Sequence, residues 1–411
     1  MYRGLAWLLM AVALPASASA QDLVGHGGPV SALAAGGDAV LSGGFDGRAI
    51  LWDPASAVAR RITRVHDGNV TAVALVADGF VSAGQDGRVA YWRTGTAEPA
   101  RTTAHAVSPV SALTAQGLQV AAGFFDGRIL QLDLASGAET WRPAHDGRVS
   151  GLAFLSDGTL VSVGADLRFA RWNHDGTLAA RAGLPDLPNG LARAGGALAV
   201  VFADGSLRLL AQDGSLLPER FLSERPLVAV AATADTVAAA AVDGAVWLLN
   251  LPDLTSRAQV PGGAGPVWAL AFADEALFTA GADGIIRRWS SRDAAPLGAG
   301  TAAATDAHAD GSRGAEIYRA CAVCHALDPD DHSRAGPSLH GIFGRPIASA
   351  DGYPFSPALR ELDIVWTPRT VAELFEFGPT AYTPGSRMPE QRVTDPDDRR
   401  ALVEFLDRVS R

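Results

Sequence analysis

Short runs of alternating apolar and polar residues, broken by glycine-bearing turns, fill most of this chain. The stretch Ala39-Val40-Leu41-Ser42-Gly43-Gly44-Phe45-Asp46-Gly47-Arg48-Ala49-Ile50-Leu51-Trp52-Asp53 is representative: a strand, a turn and a second strand. Alternation with period two puts every other side chain on one face, so each unit reads as a half-buried β-hairpin. The turn aspartate recurs at Asp46, Asp86, Asp126, Asp166, Asp204, Asp243 and Asp283, about forty residues apart, and glycine follows each of them except Asp166. A period of that length marks a repeat architecture. Seven four-stranded blades closed into a ring would leave few open sheet edges. Residues 21–24 are expected to complete the last blade beside the strand ending at Trp289, with the stretch after Trp289 as the competing choice. Past residue 310 the period lengthens. Ser312 ahead of Ile317 and Tyr318, Thr367-Pro368 ahead of Val371, Leu374 and Phe375, and Asp395-Pro396 ahead of Leu402, Phe405, Leu406 and Val409 predict three capped helices, the first and last packed together.

Upstream of the first four aspartates stand His26, His66, His105 and His145, and downstream stand Trp52, Trp92, Trp172 and Trp289. In these residues the chain resembles the WD40 family, where a His, a Ser or Thr, an Asp and a Trp of one blade bond together. Complete sets are His26, Ser42, Asp46 and Trp52; His66, Ser82, Asp86 and Trp92; and His145, Ser162, Asp166 and Trp172. The resemblance implies that each histidine is a structural partner within its own blade rather than a metal ligand. Blades five and six have Val200 and Ala239 at the serine position and lack the His and Trp, so only Asp204-Gly205 and Asp243-Gly244 announce them. Arg48, Arg88 and Arg128 share one position in three adjacent blades; exposed strand positions kept soluble by charge are favoured over a basic patch for an acidic partner.

Composition sharpens the picture at both ends. Arg3, an apolar run from Leu5 to Leu14 and the small-residue pattern Ala18-Ser19-Ala20 predict a signal peptide over 1–20, with the mature chain starting near Gln21 and carrying no membrane span. All 34 basic residues are arginine; 21 of them face 27 acids over 21–305, and 12 face 17 acids over 306–411. Both segments are acidic, which argues against nucleic acid as a partner. Between residues 291 and 309 the sequence turns to Ala, Gly, Thr and Ser, a flexible linker that separates a propeller over 21–290 from a second unit over 310–411.

The second unit carries the chemistry. Cys321-Ala322-Val323-Cys324-His325 has the C-x-x-C-H spacing that holds a haem by two thioethers and supplies a histidine to its iron. A thioredoxin-like pair or half a zinc site is the alternative, but the chain has only 2 cysteines and so cannot complete a zinc set. Further on come Gly336-Pro337-Ser338-Leu339-His340-Gly341, Arg345, Gly352-Tyr353, Trp366 and Tyr382-Thr383-Pro384-Gly385-Ser386-Arg387-Met388-Pro389. From Gly314 onward the chain resembles class I c-type cytochromes, especially the mitochondrial-like branch. The resemblance implies one haem c per chain, iron ligated by His325 and Met388, a carbonyl of Pro337 that accepts from the His325 ring, and haem propionates contacted by Arg345, Tyr353 and Trp366. Met388 is the only methionine beyond the predicted signal peptide. Phe375 stands where many relatives have Tyr, and Glu390 and Gln391 replace an aromatic often found after the methionine. No lysine ring exists for docking.

The expected fold is thus multi-domain: an all-β seven-bladed WD40-like propeller followed by an all-α cytochrome c domain. The expected function is single-electron transfer in the periplasm, as a carrier rather than an enzyme and with no catalytic residues, the propeller docking redox partner proteins of a periplasmic electron-transfer chain. The alternative is a propeller oxidoreductase of the haem d1 or quinoprotein type with a built-in cytochrome acceptor. Each unit is expected to fold alone, with a haem potential that the propeller leaves unchanged.

Overall fold

The computed structural model describes residues 21–298 except 264, and residues 310–410 except 323, 330–333, 335, 354, 387, 389 and 390. The predicted signal peptide over 1–20 and most of the predicted linker, 299–309, lie outside the described residues.

Seven antiparallel four-stranded sheets follow one another along the chain. Blade one is typical, with strands Val30–Gly36, Ala39–Gly44, Ala49–Asp53 and Val58–Thr63 in that order. Second strands are buried along nearly their whole length, as in Thr236–Ala241, while outermost strands such as Leu216–Phe221 face solvent. Blades five and six, weakly marked in sequence, are complete: their alanine- and valine-rich second strands Ala197–Phe202 and Thr236–Ala241 pair on both sides. The last blade takes its fourth strand from the start of the described chain. Leu23 pairs with Ile286 and Val24 with Ile285, beside Ile285–Ser290. Among the described residues, the competing stretch forms an isolated bridge, Trp289 to Pro296, and no named strand.

Hydrogen bonds tie the three complete sets across each blade. The Trp52 indole N–H donates to Ser42 Oγ at 2.8 Å, Ser42 Oγ lies 2.7 Å from His26 Nε2, and His26 Nδ1 lies 3.1 Å from the Asp46 carboxylate. One consistent assignment is a neutral imidazole that donates from Nδ1 and accepts the serine hydroxyl at Nε2. Blade two repeats this with Trp92, Ser82, His66 and Asp86, and blade four with Trp172, Ser162, His145 and Asp166. Burial pushes the Asp46 carboxyl up, but the His26 bond and the backbone N–H groups of Gly27 and Arg48 outweigh it and leave the group below its ordinary range. Burial also depresses the His145 imidazole, against the pull of Asp166. His105 departs from the expectation of a partner in its own blade: its Nδ1 lies 3.1 Å from the carbonyl oxygen of Asp86 in blade two. Blade three has Ala122 and Leu132 where the serine and tryptophan would stand, so nothing draws the ring inward. Blade seven keeps a remnant, Trp289 donating to Thr279 Oγ1 at 3.0 Å and Thr279 donating to the Gly262 carbonyl. Of the three arginines at the shared position, Arg128 pairs with Asp126 at 2.8 Å and Arg48 approaches Asp46 at 3.9 Å.

Among its described residues the C-terminal unit has five helices: α1 Arg313–Ala322, α2 Pro357–Arg360, α3 Pro368–Phe377, α4 Pro379–Tyr382 and α5 Pro396–Val409. Ser312 Oγ accepts from the Ala315 N–H at the start of α1. Thr367 and Thr370 form a capping box on α3, and Asp395 accepts from the N–H groups of Asp397 and Asp398 on α5. These caps satisfy donors that an α-helix cannot satisfy internally. Helices α1 and α5 cross where Gly314 is small enough to admit the Ala401 carbonyl, and Tyr318 packs on Phe405 with ring centroids 5.2 Å apart. Leu402, Phe405 and Leu406 of α5 join Val371, Leu374 and Phe375 of α3 in one core. No helix among the described residues is long and apolar enough to cross a membrane.

Candidate functional site

Helix α1 ends at the C-x-x-C-H motif, and a tight turn there carries the His325 N–H to the Cys321 carbonyl at 2.9 Å. The turn aims Cys321, Cys324 and His325 into one crevice whose far wall is α3 and the segment bearing Met388. Burial pushes the Cys321 thiol up to about 12 and the Cys324 thiol up to about 11. A dithiol redox pair needs a depressed thiol, so this environment disfavours the thioredoxin-like alternative.

His325 is held in one orientation. Its Nδ1 donates to the Pro337 carbonyl at 2.8 Å, leaving Nε2 free to face a metal, and burial holds the imidazole below its ordinary pKa and therefore neutral. The chain can approach this closely only because residue 336 is glycine. A Cβ there would come within 2.4 Å of His325 Cε1.

Met388, half-buried, lines the crevice with Leu339, Ile342 and Phe375. Arg345 enters from below, donating to the carbonyls of His340 and Ser338 at 2.9 and 2.8 Å. Trp366 is fixed to it through the backbone, its N–H donating to the Arg345 carbonyl at 2.9 Å. Tyr353 packs edge-on against Phe355, centroids 4.8 Å apart. The crevice thus brings together every residue expected of the site: Cys321, Cys324, His325, Pro337, Arg345, Tyr353, Trp366 and Met388. Two thiols at one rim, an oriented imidazole, a facing thioether, apolar walls and a guanidinium bonded to backbone carbonyls fit a haem with an anionic edge.

A family model for cytochrome c matches residues 311–410, and one for the WD domain, G-beta repeat, matches residues 18–53. Cytochrome c of Cochliobolus lunatus is 35% identical over 103 residues, covering 25% of this chain and 94% of that protein. The chain belongs to the cytochrome c family. Cytochrome c of Arabidopsis thaliana is 36% identical over 99 residues, covering 24% of this chain and 88% of that protein, and a cytochrome c homolog of Rickettsia felis is 39% identical over 100 residues, 55% of its own length. The propeller resembles in fold the crystal structure of the computationally designed Ika8 protein, with TM-score 0.53, 22% identity and coverage of 66% of this chain and 99% of that one. A seven-bladed WD40-type propeller is therefore joined to a cytochrome c domain, which implies covalently bound haem and a role as an electron carrier with redox partners.

When haem is bound it supplies a one-electron couple at iron. The protein's part would be to anchor it through Cys321 and Cys324, present His325 and Met388, keep water from the apolar side and balance charge with Arg345. Sequence reasoning did not foresee Gly336, whose role appears only once the Pro337 loop is seen against the His325 ring. It also missed the propeller residues at the crevice mouth. Phe45, Asp46, Gly47, Arg64, His66 and Gly68 line the crevice with the cytochrome residues.

Proposed function

We propose that the protein is an exported carrier of single electrons, holding one haem c per chain with iron ligated by His325 and Met388, while the propeller docks a redox partner in the periplasm. The observation that carries this reading is the convergence of Cys321, Cys324, Met388 and a Pro337-oriented His325 on one apolar crevice. A histidine and a methionine that both held the iron would leave no site on it for oxygen or peroxide, which suits electron transfer. The apolar run at Leu5–Leu14 and the Ala18-Ser19-Ala20 pattern support export.

The protein purified from a periplasmic fraction should begin near Gln21, retain its haem through acidified organic solvent, and give one haem per chain with a reversible couple. Haem extracted by that solvent, or a chain retained in the cytoplasm, would overturn the reading. Absorbance bands beyond one c-type haem would favour the propeller oxidoreductase instead.

A further inference from the structure

The mouth of the haem crevice is walled from outside the cytochrome unit. Two propeller loops line it together with the cytochrome residues: the blade-one turn with Phe45 and Asp46, the latter near enough to Cys324 for its charge to act on that thiol, and the connection into blade two with Arg64 and His66. Both loops are braced from behind. Phe45 stacks on Trp268 of blade seven, centroids 5.4 Å apart, and His66 is locked to Asp86 and Ser82.

The charge of this wall is equally defined. The Asp46 carboxylate, bonded to His26 and to the N–H groups of Gly27 and Arg48, is the anion of this wall, and its charge adds to burial in pushing the Cys324 thiol up. The residue two positions before the histidine is Val24, Thr103 or Pro143 in the other three His-bearing connections, but Arg64 here. Arg64 is exposed, lines the crevice and lies against the Gly47 turn, and no ion pair holds it among the described residues.

We infer that these two loops form the outer wall of the haem crevice, shielding the haem beside Cys324, and that Arg64 is the cation this wall turns toward it. This rests on the haem-carrier reading above. A nearby cation and exclusion of water both disfavour the more positive oxidised iron, so Arg64 and the shielding each raise the potential, against the pull of Asp46. The wall also makes the propeller loops, rather than the cytochrome surface alone, the ground that a partner meets at this edge.

Both native cysteines are expected in thioethers, so an introduced cysteine is a single thiol able to carry a nitroxide. In the full holoprotein, a label at Arg64→Cys should relax much faster with oxidised than with reduced haem, while a label at Ala179→Cys, on the outer strand of blade four, should not change. Equal, redox-independent relaxation at both positions would overturn the wall. Spectroelectrochemical titration of Arg64→Glu should give a lower midpoint potential than wild type, with the difference shrinking at high salt; an unchanged potential would remove Arg64 from the assignment. Failure of the carrier reading would be distinct, since the haem spectrum itself would then be missing from every variant.

Discussion

At the scale of single residues, the structure turns on side chains that satisfy two partners at once. Ser42 takes the Trp52 N–H and faces His26 Nε2, so Ser42→Ala would orphan a buried donor and a buried acceptor. The expected loss is about 2–4 kcal/mol, read as a lowered denaturation midpoint at unchanged slope. Gly336→Ala would drive a methyl group into the His325 ring. The variant should incorporate haem poorly, or hold it with a perturbed axial ligand, measured as the haem-to-protein absorbance ratio. Met388→Ala should abolish the methionine-to-iron charge-transfer absorbance and lower the potential, on the order of a tenth or more of the ~0.8 V that axial ligation can span; if the band survives, the axial assignment is wrong. His145 gives a pH dependence. Its folded pKa lies below the ordinary 6.5, so its contribution is complete above that value and is lost as pH falls through the depressed one. Thermal melts should therefore show the propeller less stable at pH 5 than at pH 7.5. The tetrads and the haem motif were legible in sequence because each depends on residue type at fixed spacing. Gly336 and the outward His105 were not, since each is decided by what another segment of chain places beside it.

Among the elements, the α1–α5 crossing is the most exacting contact of the cytochrome unit. A Cβ on Gly314 would meet the Ala401 carbonyl and the Phe405 Cβ, both part of a helix that cannot yield cheaply. Gly314→Ala should destabilise this unit by about 1–3 kcal/mol, with the loss appearing in the haem-domain transition of a calorimetric scan and not in the propeller transition. The caps at Ser312, Thr367 and Asp395 could be read from sequence because a capping residue acts on its own next turn. The short helices α2 and α4 could not. They are single turns started by Pro357 and Pro379, too brief to display a hydrophobic period. Blades five and six show the opposite case, weak in signature residues yet fully built, because buried alanine and valine pairing suffices to form a sheet without the tetrad.

For the whole molecule, sequence predicted two independent units, and the structure places propeller loops at the mouth of the haem crevice. That placement depends on the way the ring is closed. The strand Leu23–Val24 enters beside the strand from which the chain leaves at Ser290, so entrance and exit share one seam between blades seven and one. The haem unit is consequently moored at the seam, and blade one with its neighbour is the part of the ring within closest reach. A circular permutant opened between blades four and five, with the haem unit carried at the new C-terminus, would keep all seven sheets and the same haem ligands. It would nevertheless present the crevice to Ala203 and Phe221, the blade-five counterparts, in place of Phe45 and Arg64. The address at which an electron enters this protein is in that sense written by where the circle is cut, independently of any residue that binds the haem.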